Sequence, residues 1–170
     1  MQVLRFLDKH AEKLLAVWLY CYIVLVIFFE VLRRYSISFS SLWGEETARY
    51  AFIYMAWLGA SIAVKERLHI RIGLLSDHLG PRGQNAIMIF SGICGLFFSA
   101  FAVWYSMAPF LTSLEFGSVT QGLRISQAWF LFSVPLGFTL IFVRFLQNLV
   151  EDVHQFRMGL PPIVPTKLFA

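Results

Sequence analysis

Carboxylates and arginines at the ends of apolar segments are the groups in this sequence that could do chemistry. Glu45 and Glu46 begin the second apolar segment, and Arg49 follows four residues after Glu45. That spacing puts Glu45 and Arg49 on one face of a helix, where they can pair. A carboxylate in mid-membrane could instead carry protons, but both acids lie at the predicted membrane surface. We interpret them as an ion-paired helix start or as residues buried against a partner protein.

Glu30 is the carboxylate closest to the outer end of the first apolar segment. Arg33 and Arg34 follow it by three and four residues, which is one helical turn. We interpret Glu30 as an ion-paired residue at the membrane interface. The alternative is a stand-alone four-helix membrane transporter, in which a membrane-embedded carboxylate such as Glu30 would couple transport to protons.

The histidines and cysteines form no pattern typical of a metal, haem or redox site. A haem-binding four-helix membrane protein, a further alternative, needs facing histidine pairs within the membrane. The histidines all lie outside the apolar segments: His10, His69, His78 and His154. Cys21 and Cys94 lie inside these segments, where a disulfide oxidoreductase would need them in outer loops. With no triad spacing and no glycine-rich loop, the sequence predicts no enzyme, no cofactor, no metal and almost no buried ionisable groups.

Four apolar stretches occupy most of the 170 residues, so membrane lipid is the first predicted partner. Crossing a bilayer takes about 20 helical residues. Lipid cannot hydrogen-bond a backbone, so only helices or a closed barrel can span it, and the alternating pattern of barrel strands is missing. The sequence predicts an all-α integral membrane protein with four transmembrane helices, as a single membrane domain over 1–170. The predicted spans are about 14–33, 45–64, 85–112 and 125–147.

Amphipathic interfacial segments are predicted beside two of the spans. Residues 1–13 place apolar side chains at helical spacing among basic ones, which is typical of a helix that lies in the headgroup layer before turning into the first span. A short amphipathic helix is predicted after the second span, ending at Gly80 and Pro81. Residues 148–170 are predicted to be a cytoplasmic tail.

The distribution of lysine and arginine predicts the orientation. Ten of these residues lie in the N-terminal stretch, the second loop and the tail, against four in the first and third loops. The positive-inside rule then places both termini in the cytoplasm. The net charge of +4 is explained by this topology, and no nucleic-acid partner is predicted.

Small residues repeat at helical spacing within the spans. Ser91, Gly95 and Ser99 recur every four residues in the third span, and Gly59 with Ala63 does the same in the second. Such residues allow two helix backbones to approach closely in lipid. They serve either packing among the four helices or docking of a second membrane protein.

A motif around the second span combines a Trp-x-Glu-Glu segment, an arginine, an aromatic stretch ending in Gly-Ala, and a basic loop with a histidine. Its members are Trp43, Glu45, Glu46, Arg49, Trp57, Gly59, Ala60, Lys65, His69, Ile70 and Ile72. With this motif and four spans, the chain resembles the small membrane (Q) subunit of tripartite ATP-independent periplasmic (TRAP) transporters. It departs from that pattern at Gly73, where an aspartate is expected.

The resemblance implies a bacterial inner-membrane subunit of a sodium-coupled transporter for an organic-acid anion of the dicarboxylate, sialic acid or sulfonate class. Its partners would be a large multi-span subunit that moves as an elevator and a periplasmic binding protein, and this chain would be the stator. One set of residues is expected at the interface with the large subunit: Trp43, Glu45, Glu46, Arg49, Gly59, His69, Ser91, Gly95 and Ser99. A second set is expected near the docked binding protein: Glu115, Ser118, Gln121 and Arg124.

Overall fold

Four helices make up nearly all of the structure, a computed structural model that describes residues 2–37, 41–67 and 80–159. They are α1 (Gln2–Ile37), α2 (Leu42–Lys65), α3 (Pro81–Glu115) and α4 (Ala128–Met158). The predicted all-α class is confirmed. The short amphipathic helix predicted after the second span, together with His69, lies outside the described residues, as does the end of the predicted tail.

Three of the described helices are long and apolar enough to cross a membrane by length and composition. They contain the segments Ala11–Ser36, Gly83–Glu115 and Ala128–Met158. α2 has 24 residues, which is long enough to span, but its two glutamates and the basic residues Arg49 and Lys65 make it more polar than the others. The structure therefore supports an all-α integral membrane protein with three strongly apolar helices, and the fourth span stays a prediction.

All four helices pass at least one bound of their predicted spans, and α1 and α4 do so by the most residues. α1 is continuous over 36 residues, so no turn separates the segment predicted to lie in the headgroup layer from the first span. The reason is local, because residues 2–37 contain no glycine or proline to break the helix. α4 includes residues 148–158, which were predicted as tail, and it ends at Gly159, whose φ of 68° is the left-handed conformation common at helix ends.

The helices pack side by side in a row. Among the described residues, α1 packs against α2, α2 against α4, and α4 against α3. The last turn of α1, the first turn of α2 and the α3–α4 loop lie at the same end of the helices, here called the loop end. The opposite end, where α1 begins and α4 ends, is called the termini end. This arrangement leaves long sides of α1 and α3 without a helix neighbour among the described residues.

Large apolar side chains face outward and small polar ones face the helix contacts. Trp18, Phe97 and Trp104 are each more than 70% exposed, whereas Ser61, Ser99 and Ser133 are almost completely buried. Such a surface would be costly in water, but lipid is as apolar as these side chains, and close contact between helices then depends on small residues. The distribution fits a membrane protein.

Candidate functional site

Glu46 forms hydrogen bonds between α2 and the α3–α4 loop at the loop end. Its Oε2 atom accepts hydrogen bonds from the backbone N–H groups of Gly122, at 2.9 Å, and Leu123, at 2.7 Å. The Tyr50 hydroxyl donates to the other carboxylate oxygen at 3.3 Å. Glu46 thereby ties the start of α2 to the α3–α4 loop, a connection that its position in the sequence does not reveal.

Glu45, the neighbouring acid, does not form the expected pair. Glu45 and Arg49 are both exposed, and no ion pair joins them in the part of the chain that the structure describes. The predicted Glu45–Arg49 pair is therefore not found. The i,i+4 spacing made the pair possible, but an exposed pair of this kind contributes only about 0.3–0.5 kcal/mol and need not form.

The α3–α4 loop, residues 116–127, is a short hairpin. Val119 and Ser126 form an isolated antiparallel bridge, and the Thr120 N–H donates to the Ile125 carbonyl at 2.9 Å. A Cβ atom on Gly122 would lie 2.9 Å from the backbone of α2, so this turn has no room for a side chain. The hairpin is thus held both by its own backbone and by Glu46.

The residues expected near a binding protein lie on or beside this hairpin. Gln121 and Arg124 are exposed at its tip, Glu115 is exposed at the end of α3, and Ser118 is half-buried. Arg124 has a φ of 53°, a left-handed conformation that is uncommon for a residue with a side chain. The loop end therefore presents these groups on a fixed turn.

Glu30 joins the end of α1 to the start of α2. Its carboxylate accepts from the Ser41 N–H at 3.3 Å and from the Ser41 hydroxyl, and it pairs with Arg33 at 3.5 Å. The Arg33 guanidinium also lies 5.9 Å from the centre of the Trp43 ring. The ion-paired role predicted for Glu30 is confirmed.

The small residues predicted at a partner interface occupy two different environments. Gly95 and Ser99 lie in the contact between α3 and α4, where a Cβ atom on Gly95 would be 2.5 Å from the Phe145 ring. Ser91, on the same helix, is half-buried. Gly59 is exposed on α2, with nothing within 4 Å of the position of an added Cβ atom. Of these four residues, Gly59 is the one that is exposed.

A buried ion pair at the termini end was not predicted. Arg144 donates from Nε, at 3.1 Å, and from an NH2 group, at 2.6 Å, to one oxygen of Glu12. Ser61 donates to the same oxygen at 3.4 Å, and Gln147 accepts from Arg144 at 2.5 Å. Three helices, α1, α2 and α4, meet in this cluster.

A second cluster lies beside it. Arg67, just after α2, forms ion pairs with Asp152 and, at 3.3 Å, with Glu151 of α4. The Asn148 side-chain amide donates to the Val64 carbonyl at 2.7 Å. Because Arg144 and Asp152 are only 7% and 4% exposed and each has an ion-pair partner, the prediction of almost no buried ionisable groups was wrong. The available signal was an arginine within the apolar sequence Ile141–Leu146, since a charge in such a run usually has a partner.

Residues 23–155 match the family model described as tripartite ATP-independent periplasmic transporters, DctQ component. The chain belongs to this family. The resemblance found in the Trp43–Ile72 motif is therefore confirmed, and the protein is a multi-pass inner-membrane subunit of the TRAP transporter type, a transport component and not an enzyme.

Three relatives have named transport functions. The isethionate TRAP transporter permease protein DctMQ of Oleidesulfovibrio alaskensis is 30% identical over 158 residues, which cover 89% of this chain but only 25% of that protein. The sialic acid TRAP transporter small permease protein SiaQ of Vibrio cholerae is 26% identical, covering 88% of this chain and 85% of that protein. The C4-dicarboxylate TRAP transporter small permease protein DctQ of Vibrio cholerae is 29% identical over 111 residues, 64% and 47% of the two chains.

Most of the charged side chains described above bond to other parts of the same chain. In the described ranges, no group of three or more histidine, cysteine, aspartate or glutamate side chains could hold a metal ion. Glu12 is paired with the buried Arg144, and Arg67 is paired with the buried Asp152. These contacts hold the helices together.

Glu46→Gln is expected to loosen the hairpin. The change keeps the shape of the side chain but removes the charge that strengthens the bonds from Gly122 and Leu123, and hydrogen bonds to charged groups contribute about 1.5–3 kcal/mol. Amide hydrogen exchange at Gly122 and Leu123 should accelerate by roughly tenfold or more. Glu45→Gln is the matched control, because Glu45 is exposed and does not contact the loop. Equal exchange rates in the two variants would contradict this role for Glu46.

Proposed function

We propose that this chain is the small membrane subunit of a sodium-coupled, binding-protein-dependent TRAP transporter for an organic-acid anion. It serves as the stator for a large elevator subunit and helps to dock a periplasmic binding protein. The observation that carries this proposal is the family match over residues 23–155, which includes both the open face of α2 and the hairpin.

The substrate class is supported by the named relatives. Their printed substrates are isethionate, sialic acid and C4-dicarboxylates. All three are small organic anions, a sulfonate, a sugar acid and a dicarboxylate. We therefore assign an anion of this chemistry to the complex as a whole, with the binding site on the large subunit.

The stator role is supported by the way the chain is built. Transporters tend to bind substrates and ions at interrupted helices near the middle of the membrane, whereas each of the four described helices runs unbroken. Ion pairs connect α1, α2 and α4 at the termini end. At the loop end, Glu30 connects α1 to the start of α2, and Glu46 connects α2 to the α3–α4 hairpin. A unit fixed at both ends is suited to resist movement while a partner moves against it.

The proposed topology has four spans with both termini in the cytoplasm. α2 would be about 36 Å long at ~1.5 Å per residue, enough for a hydrocarbon core of about 30 Å. The ten basic residues on the terminal stretches and second loop support this orientation. The hairpin then faces the periplasm, where Glu115, Ser118, Gln121 and Arg124 are available to a docked binding protein.

The large subunit is proposed to contact the exposed face of α2. Gly59 lies on this face with open space around it, and Arg49 is exposed on the same helix. A helix of the partner could approach the α2 backbone closely at Gly59, as small residues allow in membranes. Gly95 and Ser99 would support the interface indirectly by holding α3 against α4.

Gly59→Leu is expected to weaken the complex without unfolding the chain. A leucine side chain would occupy the space into which the partner helix packs, so recovery of the large subunit on the tagged small subunit should fall by about tenfold, which corresponds to ~1.4 kcal/mol. Stability of the isolated chain should not fall, because the added side chain meets nothing within 4 Å. Cys21→Leu, a similar change on the exposed side of α1, is the control.

The function as a whole is tested by reconstitution. Proteoliposomes with the large subunit, this chain and the binding protein should take up the anion in response to a sodium gradient. Proteoliposomes that lack this chain should take up little, and this chain alone should transport nothing. Full uptake without this chain would contradict the stator role, and normal assembly of Gly59→Leu would exclude the α2 face as the interface.

A further inference from the structure

A groove opens at the loop end between the last turns of α1 and the first turn of α2. Its volume is about 120 Å³, which is roughly four times the volume of a water molecule in the liquid. One wall is apolar and is formed by Val26, Ile27 and Val31 of α1. Arg34 and Glu45 line the same groove from the two helices.

One charged group in this groove has partners within the chain, and two others do not form ion pairs in the described part of it. Glu30, which also lines it, is engaged by Ser41 and Arg33. Arg34 and Glu45 are exposed, and among the described residues neither takes part in an ion pair, either with the other or with a third group. Two opposite charges therefore face one groove without neutralising each other. A ligand that carries both a negative and a positive group would complement them.

The surroundings of the groove indicate a ligand with an apolar tail. Its apolar wall continues along α1 onto exposed side chains such as Val24 and Phe28, within a segment apolar enough to cross a membrane. Trp43, half exposed at the start of α2, is of the type that anchors at membrane interfaces. Apolar side chains and two opposite charges thus lie next to each other near the end of a helix that is apolar enough to cross a membrane.

We propose that this groove binds one zwitterionic glycerophospholipid with a primary ammonium headgroup. Arg34 binds the phosphate, since a guanidinium is suited to bidentate phosphate contacts. Glu45 accepts from the ammonium group, and one acyl chain lies along Val26, Ile27 and Val31. The bound lipid would fill the gap between α1 and α2. This lipid site does not depend on the transport function, because all of its groups belong to this chain.

The test measures lipid retention by the full-length chain, purified in detergent and incubated with defined lipids. Native mass spectrometry should show phosphatidylethanolamine retained about tenfold more strongly than phosphatidylcholine, whose quaternary ammonium cannot donate a hydrogen bond, or phosphatidylglycerol, which has no positive charge. Arg34→Gln should weaken retention of phosphatidylethanolamine by about tenfold. Glu45→Gln should abolish its advantage over phosphatidylcholine.

Two further variants make the result decisive. Ile27→Trp should fill the groove and reduce retention without changing any charge. Arg157→Gln, which removes an exposed arginine in the last turn of α4, should retain lipid as the unchanged chain does. Equal retention of the three lipids by the unchanged chain would overturn the proposal, because it indicates only non-selective surrounding lipid. Unaltered selectivity in both Arg34→Gln and Glu45→Gln would overturn it as well.

Discussion

Arg144→Met is expected to lower the free energy of unfolding by about 3–5 kcal/mol, the usual cost of removing one partner of a buried ion pair. The arginine is 7% exposed and donates twice to Glu12. Without it, the Glu12 carboxylate would stay buried with only Ser61 as a donor. Unfolding in mixed micelles with increasing dodecyl sulfate, followed by circular dichroism, measures the difference.

A neighbouring ion pair supplies the control for this variant. Lys13, next to Glu12 in the chain, pairs with Glu66, and its side chain is 56% exposed. Lys13→Met should cost no more than about 1 kcal/mol, as is usual for exposed pairs. The double variant Glu12→Met/Arg144→Met should lose less than Arg144→Met, because no charge is left unpaired. A cost for Arg144→Met no larger than that of Lys13→Met would show that the buried pair does not hold the helices.

The buried pair matters because α1 has few other connections. Apart from the pair of Glu12 with Arg144 of α4, α1 packs against α2 among the described helices, and its apolar side chains are largely exposed. In lipid, burial of apolar surface gives little driving force for helix association. Glu12 and Glu30 therefore attach α1 at two points along a helix that lipid alone would leave loosely attached.

The sequence was sufficient to predict what depends on local composition. Apolar length predicted helices at all four positions, because an apolar segment in lipid must satisfy its backbone internally. It also predicted the Glu30–Arg33 pair, whose members are one turn apart. The bounds of α1 were harder to predict. The change from polar to apolar residues near position 14 indicated a break, but the helix continues through it.

Contacts between distant segments could not be predicted in the same way. Glu12 and Arg144 are 132 positions apart, and Glu46 and Gly122 are 76 apart. The two glutamates at the start of α2 are equivalent by type, and only the fold decides that Glu46 reaches the hairpin while Glu45 stays exposed. The environments of the small-residue repeats could not be predicted either. Gly95 and Gly59 both belong to repeats with a spacing of four residues, but Gly95 lies against Phe145 of α4 and Gly59 has open space around it.

Gly137→Leu is expected to lower the free energy of unfolding by about 1–3 kcal/mol, as overpacking of a tight contact does. Gly137 is buried, and the Trp57 ring lies against its backbone where a Cβ atom would be. The same ring packs on Phe138, with centroids 4.8 Å apart. A leucine must displace the tryptophan, which would separate α2 from α4. Unfolding in mixed micelles again gives the value.

Gly59→Leu and a change at Trp57 separate this steric effect from the intrinsic effect of replacing glycine. Leucine favours a helix over glycine by almost 1 kcal/mol, so Gly59→Leu, at an open position, should leave stability unchanged or raise it. Trp57→Leu combined with Gly137→Leu should recover part of the loss, because the smaller side chain leaves room for the new one. If Gly137→Leu were as stable as Gly59→Leu, α2 and α4 would not meet through Trp57 and Gly137. The row of helices would then lack its central contact, because α2 joins the α1 side of the row to the α4 side.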